Sequence, residues 1–290
     1  MKIFVAGATG AVGRLLVPLL VGAGHRVTGT SRTEAGDRTL SDQGAVPVRL
    51  DVFDPATVRH AVAGAAPDVI IHQLTALSGG DVSANSRIRR EGTANLVAAA
   101  DAAGVRRIIA QSIAWAYEPG AVPADESTPL DLAAPEPRAS SVGGVRALED
   151  AVAGVERHVI LRYGLLYGPG TWYARGARVA DQLRAGELTA DAAVSSFLHV
   201  EDAARAAVAA LDWPNGPVNV VDDEPAPATE WLPALAAALG EPAPPAPTPP
   251  PGAGTGRPGW ARGASNTLAR QKLAWTPAYP SWHTGFTGLS

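Results

Sequence analysis

The chain has no cysteine, and among its 24 basic residues only Lys2 and Lys272 are lysines. The first absence excludes disulfides, thiolate metal sites and a cysteine nucleophile. The second limits which chemistry the chain can perform. An excess of basic charge is missing too: 24 basic against 28 acidic residues leave a net charge of −4. No electrostatic footprint for nucleic acid or an anionic membrane follows from that balance. No uninterrupted apolar run reaches the roughly 18 residues of a membrane-spanning helix, so neither nucleic acid nor membrane is expected as a partner. His25, His60, His72, His158, His199 and His283 are scattered without metal-ligand spacing, so no metal is expected. The first residues form no charged segment followed by an apolar stretch, so the expectation is no signal peptide and a cytoplasmic protein. What remains is a chain of 290 residues, 46% hydrophobic, enough for one large α/β domain with an appended lobe or for two small domains.

The informative part lies at the start. Met1–Ala6 reads as an apolar strand that runs into Gly7-Ala8-Thr9-Gly10-Ala11-Val12-Gly13-Arg14 and then into an apolar helix, Leu15–Val21. Strand, glycine turn and helix in this order suit a dinucleotide pyrophosphate. Gly7 permits the tight turn, Gly10 lets the backbone approach the phosphates, and Gly13 lets the helix pack close to the strand. Thr9, Ala11, Val12 and Arg14 belong to the same cofactor-binding turn, where free amides and the helix dipole face the phosphates. A purely structural glycine turn is the alternative.

Strand-like and helix-like segments alternate through the first 165 residues. Strands are expected at Lys2–Ala6, Arg26–Thr30, Val46–Arg49, Val69–His72, Arg107–Gln111 and His158–Arg162, with helices at 11–23, 55–64, 84–103 and 141–153. This alternation predicts right-handed βαβ units and a parallel sheet with helices on both faces. Beyond residue 165 helices are expected at Tyr173–Ala185, Asp202–Leu211 and Thr229–Leu239, a strand at Val218–Val221, and a short last helix at Ser265–Leu273. Glu241–Gly259 is rich in Pro, Ala and Gly and reads as a linker.

The second strand ends Thr30-Ser31-Arg32-Thr33, with no carboxylate until Glu34. An acid at this point would accept the ribose 2′-hydroxyl of NAD. Arg32, helped by Arg14, suits a 2′-phosphate instead. NADP(H) is therefore the expected cofactor, with Ser31 in the same turn. Asp51 and Val52 are placed to meet the adenine, though Asp51 equally suits a cap for the helix starting near Pro55.

Together these residues resemble the extended short-chain dehydrogenase/reductases, the group that includes NAD-dependent epimerases and dehydratases. Gly7–Gly13 resembles the family's glycine motif, and Asp68-Val69-Ile70-Ile71-His72 its fourth strand, which runs beside the cofactor. Glu91-Gly92-Thr93-Ala94-Asn95-Leu96 resembles the long helix that follows. Gln111-Ser112 resembles the end of the fifth strand. Arg162-Tyr163-Gly164 through Tyr167-Gly168-Pro169-Gly170 resembles the loop near the nicotinamide, and Phe197-Leu198-His199-Val200-Glu201-Asp202 the return from the substrate lobe. The resemblance implies a Rossmann domain over 1–165, with 196–225 returning to it, and a small C-terminal substrate lobe mainly over 166–290. It also implies that Gln73, Leu74, Thr75, Tyr163 and Gly164 line the cofactor. A homodimer through the helices at 84–103 and 141–153 is the family's common assembly.

One feature of the family is missing. Its chemistry relies on a Tyr-x-x-x-Lys pair on the helix after the fifth strand. Aligned on Glu149, Ser141 stands in the Tyr place and Val145 in the Lys place; a shift of one brings in Arg146 but puts Val142 in the Tyr place. The family's Asn on the preceding helix is replaced by Arg89.

The candidates left for catalysis are Ser112, at the C-terminal end of a parallel strand, and Tyr117, a phenol able to replace the missing proton donor. For Ser112 the alternative is a local structural hydrogen bond; for Tyr117, and for its rivals Tyr163 and Tyr167, it is packing. Trp115, Trp172 and Tyr173 are expected on the substrate side. Arg89 is expected either to bind an anionic substrate group or to pair with Glu91 or another acid. Three functions remain open. The first is NADP(H)-dependent reduction or epimerisation of a small metabolite with a carbonyl, imine or activated double bond. The second is a non-redox isomerase, dehydratase or cyclase. The third is a non-catalytic NADP(H)-binding regulator.

Overall fold

The computed structural model describes residues 1–76, 82–245 and 262–289. In chain order the first elements are β1 (Lys2–Ala6), α1 (Gly13–Gly22), β2 (Arg26–Ser31), α2 (Glu34–Asp42), β3 (Val46–Arg49), α3 (Pro55–Ala65) and β4 (Val69–His72). Next come α4 (Val82–Arg87), a π-helical turn at Ile88–Gly92, α5 (Thr93–Ala102), β5 (Arg107–Ile113), α6 (Arg138–Ala153) and β6 (Arg157–Tyr163). The remainder are β7 (Leu165–Tyr167), α7 (Arg178–Arg184), β8 (Val194–Ser195), β9 (Phe197–His199), α8 (Val200–Ala209), β10 (Gly216–Val220), β11 (Ala226–Pro227), α9 (Ala228–Leu239), α10 (Thr267–Lys272) and α11 (Trp282–Thr287).

Among the described residues, seven strands form one sheet in the order β10-β6-β5-β4-β1-β2-β3, with parallel pairing at β1–β2, β1–β4, β2–β3 and β4–β5. This is the doubly wound Rossmann arrangement. The strand order reverses between β1 and β4, and open α/β sheets bind their ligands outside the carboxyl ends of the strands at such a reversal. Ile3–Ala6 of β1 and Val69–Ile71 of β4 are apolar runs of consecutive buried residues, which is what a sheet covered by helices on each side requires.

The chain divides into two compact units. One comprises Met1–Ser112, Leu132–Leu161 and Ala204–Pro217; the other comprises Ile113–Asp131, Arg162–Ala203 and Val218–Ser290. The core of the first joins Phe4, Ile70 and Ile108 of the central strands to Val58, Val62, Leu96, Leu148 and Val152 of the helices. The core of the second is aromatic, built on Tyr167, Phe197, Trp231, Trp282 and Phe286.

Several expectations need correction. Asp54, not Asp51, caps α3: its carboxylate accepts from the amides of Ala56 and Thr57, while Asp51 accepts from Phe53 N at 3.0 Å. The helix expected over 84–103 is interrupted by the π-turn. The helix expected at Tyr173–Ala185 begins only at Arg178, after a turn in which Gly176 takes φ +67°. α2 was not foreseen because its sequence EAGDRTLSD buries Leu40 alone, leaving almost no apolar period to detect. Most of the linker expected over Glu241–Gly259 lies outside the described residues.

Candidate active site

The three glycines of the first turn do three different jobs. Gly7 adopts φ +87°, and a Cβ there would lie 2.6 Å from the Gln73 carbonyl oxygen. A Cβ on Gly13 would lie 2.2 Å from the Gly7 carbonyl oxygen. Both positions are therefore closed by the protein's own backbone. Gly10 is exposed, and a Cβ there would meet nothing nearer than the Gly7 oxygen at 3.4 Å. Folding does not require its bareness, which instead leaves backbone open to an incoming group. α1 starts beside it without a side-chain cap and without an acid in its first turn, so its amides and positive dipole end suit an anion. The residues present thus fit a dinucleotide pyrophosphate.

At the end of β2, Ser31 is buried; its hydroxyl donates to the Thr33 carbonyl at 2.7 Å and accepts from the Thr33 amide at 3.1 Å. Arg32 is exposed and Arg14 half-buried. The acids that follow are engaged by other arginines, Glu34 with Arg38 at 2.7 Å and Asp37 with Arg49 at 2.5 Å. Ala11 is half-buried, Thr9 exposed and Val12 buried. Val52 packs where a Cβ on Gly92 would touch it at 3.1 Å. After β4, the Gln73 amide donates to the Ala6 carbonyl at 2.7 Å, and Leu74 and Thr75 are half-buried.

Beneath the strand ends the first unit holds a buried polar group. The Ser112 hydroxyl donates to Glu149 Oε1 at 2.7 Å, and both residues are buried. Leu74 N donates to His72 Nδ1 at 3.1 Å, which leaves Nε2 to donate to Thr93 Oγ1 at 3.0 Å. Burial, reinforced by the Arg89 charge, pulls the His72 pKa down to about 4, so the ring is neutral near pH 7. Arg89 is buried in the π-turn; burial lowers its pKa to about 10, and Glu149 opposes that shift. Glu91 is not its partner, because Glu91 pairs with Arg87 at 2.9 Å. Ser141 and Val145 lie on the same buried face of α6 as Glu149.

In the second unit, Tyr117 is buried. Its phenol donates to Asn219 Oδ1 at 2.5 Å, accepts from Arg162 Nη1 at 2.9 Å, and its ring lies under the Arg162 guanidinium at 4.9 Å. Tyr163 donates to the Ala203 carbonyl at 3.2 Å. Gly164 is required by packing, since a Cβ would lie 2.7 Å from the Ser196 carbonyl oxygen. Tyr167 is wholly buried among aromatic rings, and burial, with Asp222 next in strength, raises its pKa. Tyr173 sets its ring edge-on to Phe197 and Trp231. Trp172 is half-buried under Arg178, 4.8 Å from the guanidinium, and Trp115 keeps 36% of its surface exposed.

Sequence reasoning did not foresee Glu149 as the partner of Ser112, nor Asn219 and Arg162 as partners of Tyr117. For Glu149 a signal existed. Ser141, Val145 and Glu149 recur every four residues on the stripe that also carries Val142, Leu148 and Val152, and a carboxylate on an apolar stripe needs a partner.

Comparison with known proteins agrees with this fold. Residues 3–221 match the NAD dependent epimerase/dehydratase family. The chain is 44% identical to a 3-diazoavenalumate denitrifying reductase of a Streptomyces species, over 98% of this chain and 99% of the relative. It is 29% identical to the 2-alkyl-3-oxoalkanoate reductase of Stenotrophomonas maltophilia, over 83% and 77% of the two chains. It superposes on the UDP-glucose 4-epimerase of Thermus thermophilus in complex with NAD with a TM-score of 0.76 and 25% identity, covering 99% and 97% of the chains. For Bordetella bronchiseptica WbmG in complex with NAD and UDP the TM-score is 0.78 at 23% identity, covering 100% and 93%, a likeness of fold. The chain belongs to the NAD dependent epimerase/dehydratase family and is an NAD(P)-dependent enzyme of the oxidoreductase and epimerase kind.

Proposed function

We propose that the protein is an NADP(H)-dependent reductase that delivers hydride to a cationic electrophile of a small conjugated carboxylate and supplies no proton to it. One observation carries this reading: the hydroxyls offered as candidates for catalysis spend their protons inside the protein. Ser112 donates to Glu149, Tyr117 to Asn219 and Tyr163 to Ala203. Tyr167 is sealed in an aromatic core.

NADPH, when bound, would supply the hydride. Gly10 and the start of α1 would hold its pyrophosphate. Arg32, with Arg14, favours the 2′-phosphate, and this reading is supported by the engagement of Glu34 and Asp37 with other arginines. Asp51 and Val52 would meet the adenine, and Gln73, Leu74 and Thr75 would line the cofactor.

Reduction of a carbonyl leaves an alkoxide that needs a proton, whereas an iminium becomes a neutral amine on receiving hydride. An arenediazonium that receives hydride becomes an arene as its C–N bond breaks and dinitrogen departs, with no proton gained or lost. Neither needs the Tyr–Lys pair whose places here hold Ser141 and Val145. The relative named as a denitrifying reductase of a diazo compound supports this choice of electrophile. Both named reductases act, by those names, on carboxylates.

The test is NADPH oxidation with two matched electrophiles, 4-carboxybenzenediazonium and 4-carboxybenzaldehyde. The reading expects turnover of the first, with benzoate as product, and little or none of the second. Equal turnover of the aldehyde contradicts it. Binding of NADPH without any consumption favours the non-redox or regulatory functions.

A further inference from the structure

Three arginines fall within four residues, and they meet different fates. Arg87 is exposed, pairs with Glu91 at 2.9 Å and lies 4.0 Å over the Phe53 ring. Arg90 is exposed and lies over Gly143, where a Cβ would come within 2.7 Å of its Nη2. Arg89, between them, is turned inside and keeps only 7% of its surface.

A buried guanidinium carries five donors and a charge that cannot be shed near pH 7. Such a group is normally paired and hydrogen-bonded, because an unpaired buried charge is strongly destabilising. Among the described residues no hydrogen bond and no ion pair within 4 Å reaches the Arg89 side chain. The opposite charge that acts on it is Glu149, whose carboxylate receives the Ser112 hydroxyl. His72, the other titratable group beside it, is neutral. The guanidinium nitrogens are also absent from the sealed polar atoms of the interior.

The backbone around Arg89 is unusual in the same place. The helix is wound as a π-turn over Ile88–Gly92, a geometry that is rare and concentrated at functional sites. A planar fork of five donors matches a planar carboxylate with two parallel bonds, better than it matches a hydroxyl or a carbonyl.

We propose that Arg89 is the receptor for the carboxylate of the substrate. This inference rests on the reading of the protein as a reductase of a small carboxylate, and it assigns the residue that recognises that group. It makes the site selective for anionic substrates over their neutral amides or esters.

The test is calorimetric binding of trans-cinnamate, and of the neutral cinnamamide, to the NADP⁺-loaded protein. Wild type is expected to prefer cinnamate. Arg89→Leu is expected to weaken cinnamate by about 30- to 100-fold, to the level of the amide, while NADP⁺ affinity stays within about twofold. Arg89→Lys keeps the charge and loses the fork, and is expected to weaken cinnamate by about tenfold; it serves as the test if the leucine variant does not fold. Three results overturn the inference: no preference for cinnamate in wild type, unchanged cinnamate affinity in the folded variants, or an equal loss of NADP⁺ affinity, which would place Arg89 at the cofactor. The failure of every electrophile to consume NADPH, with cinnamate still bound through Arg89, would sink the reductase reading alone.

Discussion

The glycine turn of the first unit and the hydroxyls at the ends of β5 and β6 are opposites in one respect. In the turn, backbone is left open: Gly10 lacks a side chain that the fold could accommodate. Among the hydroxyls, everything is closed: Ser112, Tyr117 and Tyr163 each donate to a protein acceptor. The open part is what any dinucleotide enzyme needs. The closed part is where acid–base chemistry would reside. On the proposed function, a chain that keeps the first and ties up the second would suit hydride transfer without proton transfer.

The largest expected effects separate the glycines themselves. Gly13→Ala drives a Cβ to 2.2 Å from a backbone oxygen and is expected to cost about 2–4 kcal/mol of stability in denaturant melts. Gly10→Ala is expected to melt within about 0.5 kcal/mol of wild type yet to bind NADPH at least about tenfold more weakly, by fluorescence titration. If Gly10→Ala binds NADPH normally, the openness of that position has no function.

The closed side is probed by pH. The folded-state pKa of His72 is about 4, depressed from 6.5, so its contribution is present above pH 6.5 and is lost as pH falls toward 4. Unfolding free energy is therefore expected to drop by up to about 3 kcal/mol through that window, and His72→Gln should flatten the drop. An equal acid dependence in the variant would assign the loss to other groups.

Tyr117→Phe removes a buried donor and leaves Asn219 and Arg162 to readjust. It is expected to cost about 1–3 kcal/mol of stability while changing the hydride-transfer rate by less than about threefold. A loss of about 10²–10⁴ in rate at unchanged cofactor affinity would make the phenol a proton donor after all. The smallest effect is at the surface: Arg32→Ala is expected to leave stability unchanged and to lower the NADPH-to-NADH affinity ratio by about tenfold.

The turn itself was legible in the sequence, because glycines at these offsets after an apolar strand answer a specific need for backbone to turn tightly and pack closely. The sheet was legible for a related reason: runs such as Val69-Ile70-Ile71 are too short and too apolar to be surface helices. What stayed hidden was pairing across long sequence separations. Ser112 and Glu149 lie 37 residues apart, and Tyr117 and Asn219 lie 102 apart. No local pattern joins such residues. The π-turn was hidden as well, since its sequence IRREG reads as ordinary helix.

The central claim, that hydride transfer proceeds without a proton from the protein, is tested most directly by single-turnover rates with an N-methyl-3,4-dihydroisoquinolinium carboxylate as acceptor, measured against pH. A rate that is flat from about pH 6 to about pH 9, in wild type and in Tyr117→Phe alike, is the predicted result. A sloped or bell-shaped profile that disappears in Tyr117→Phe would contradict it.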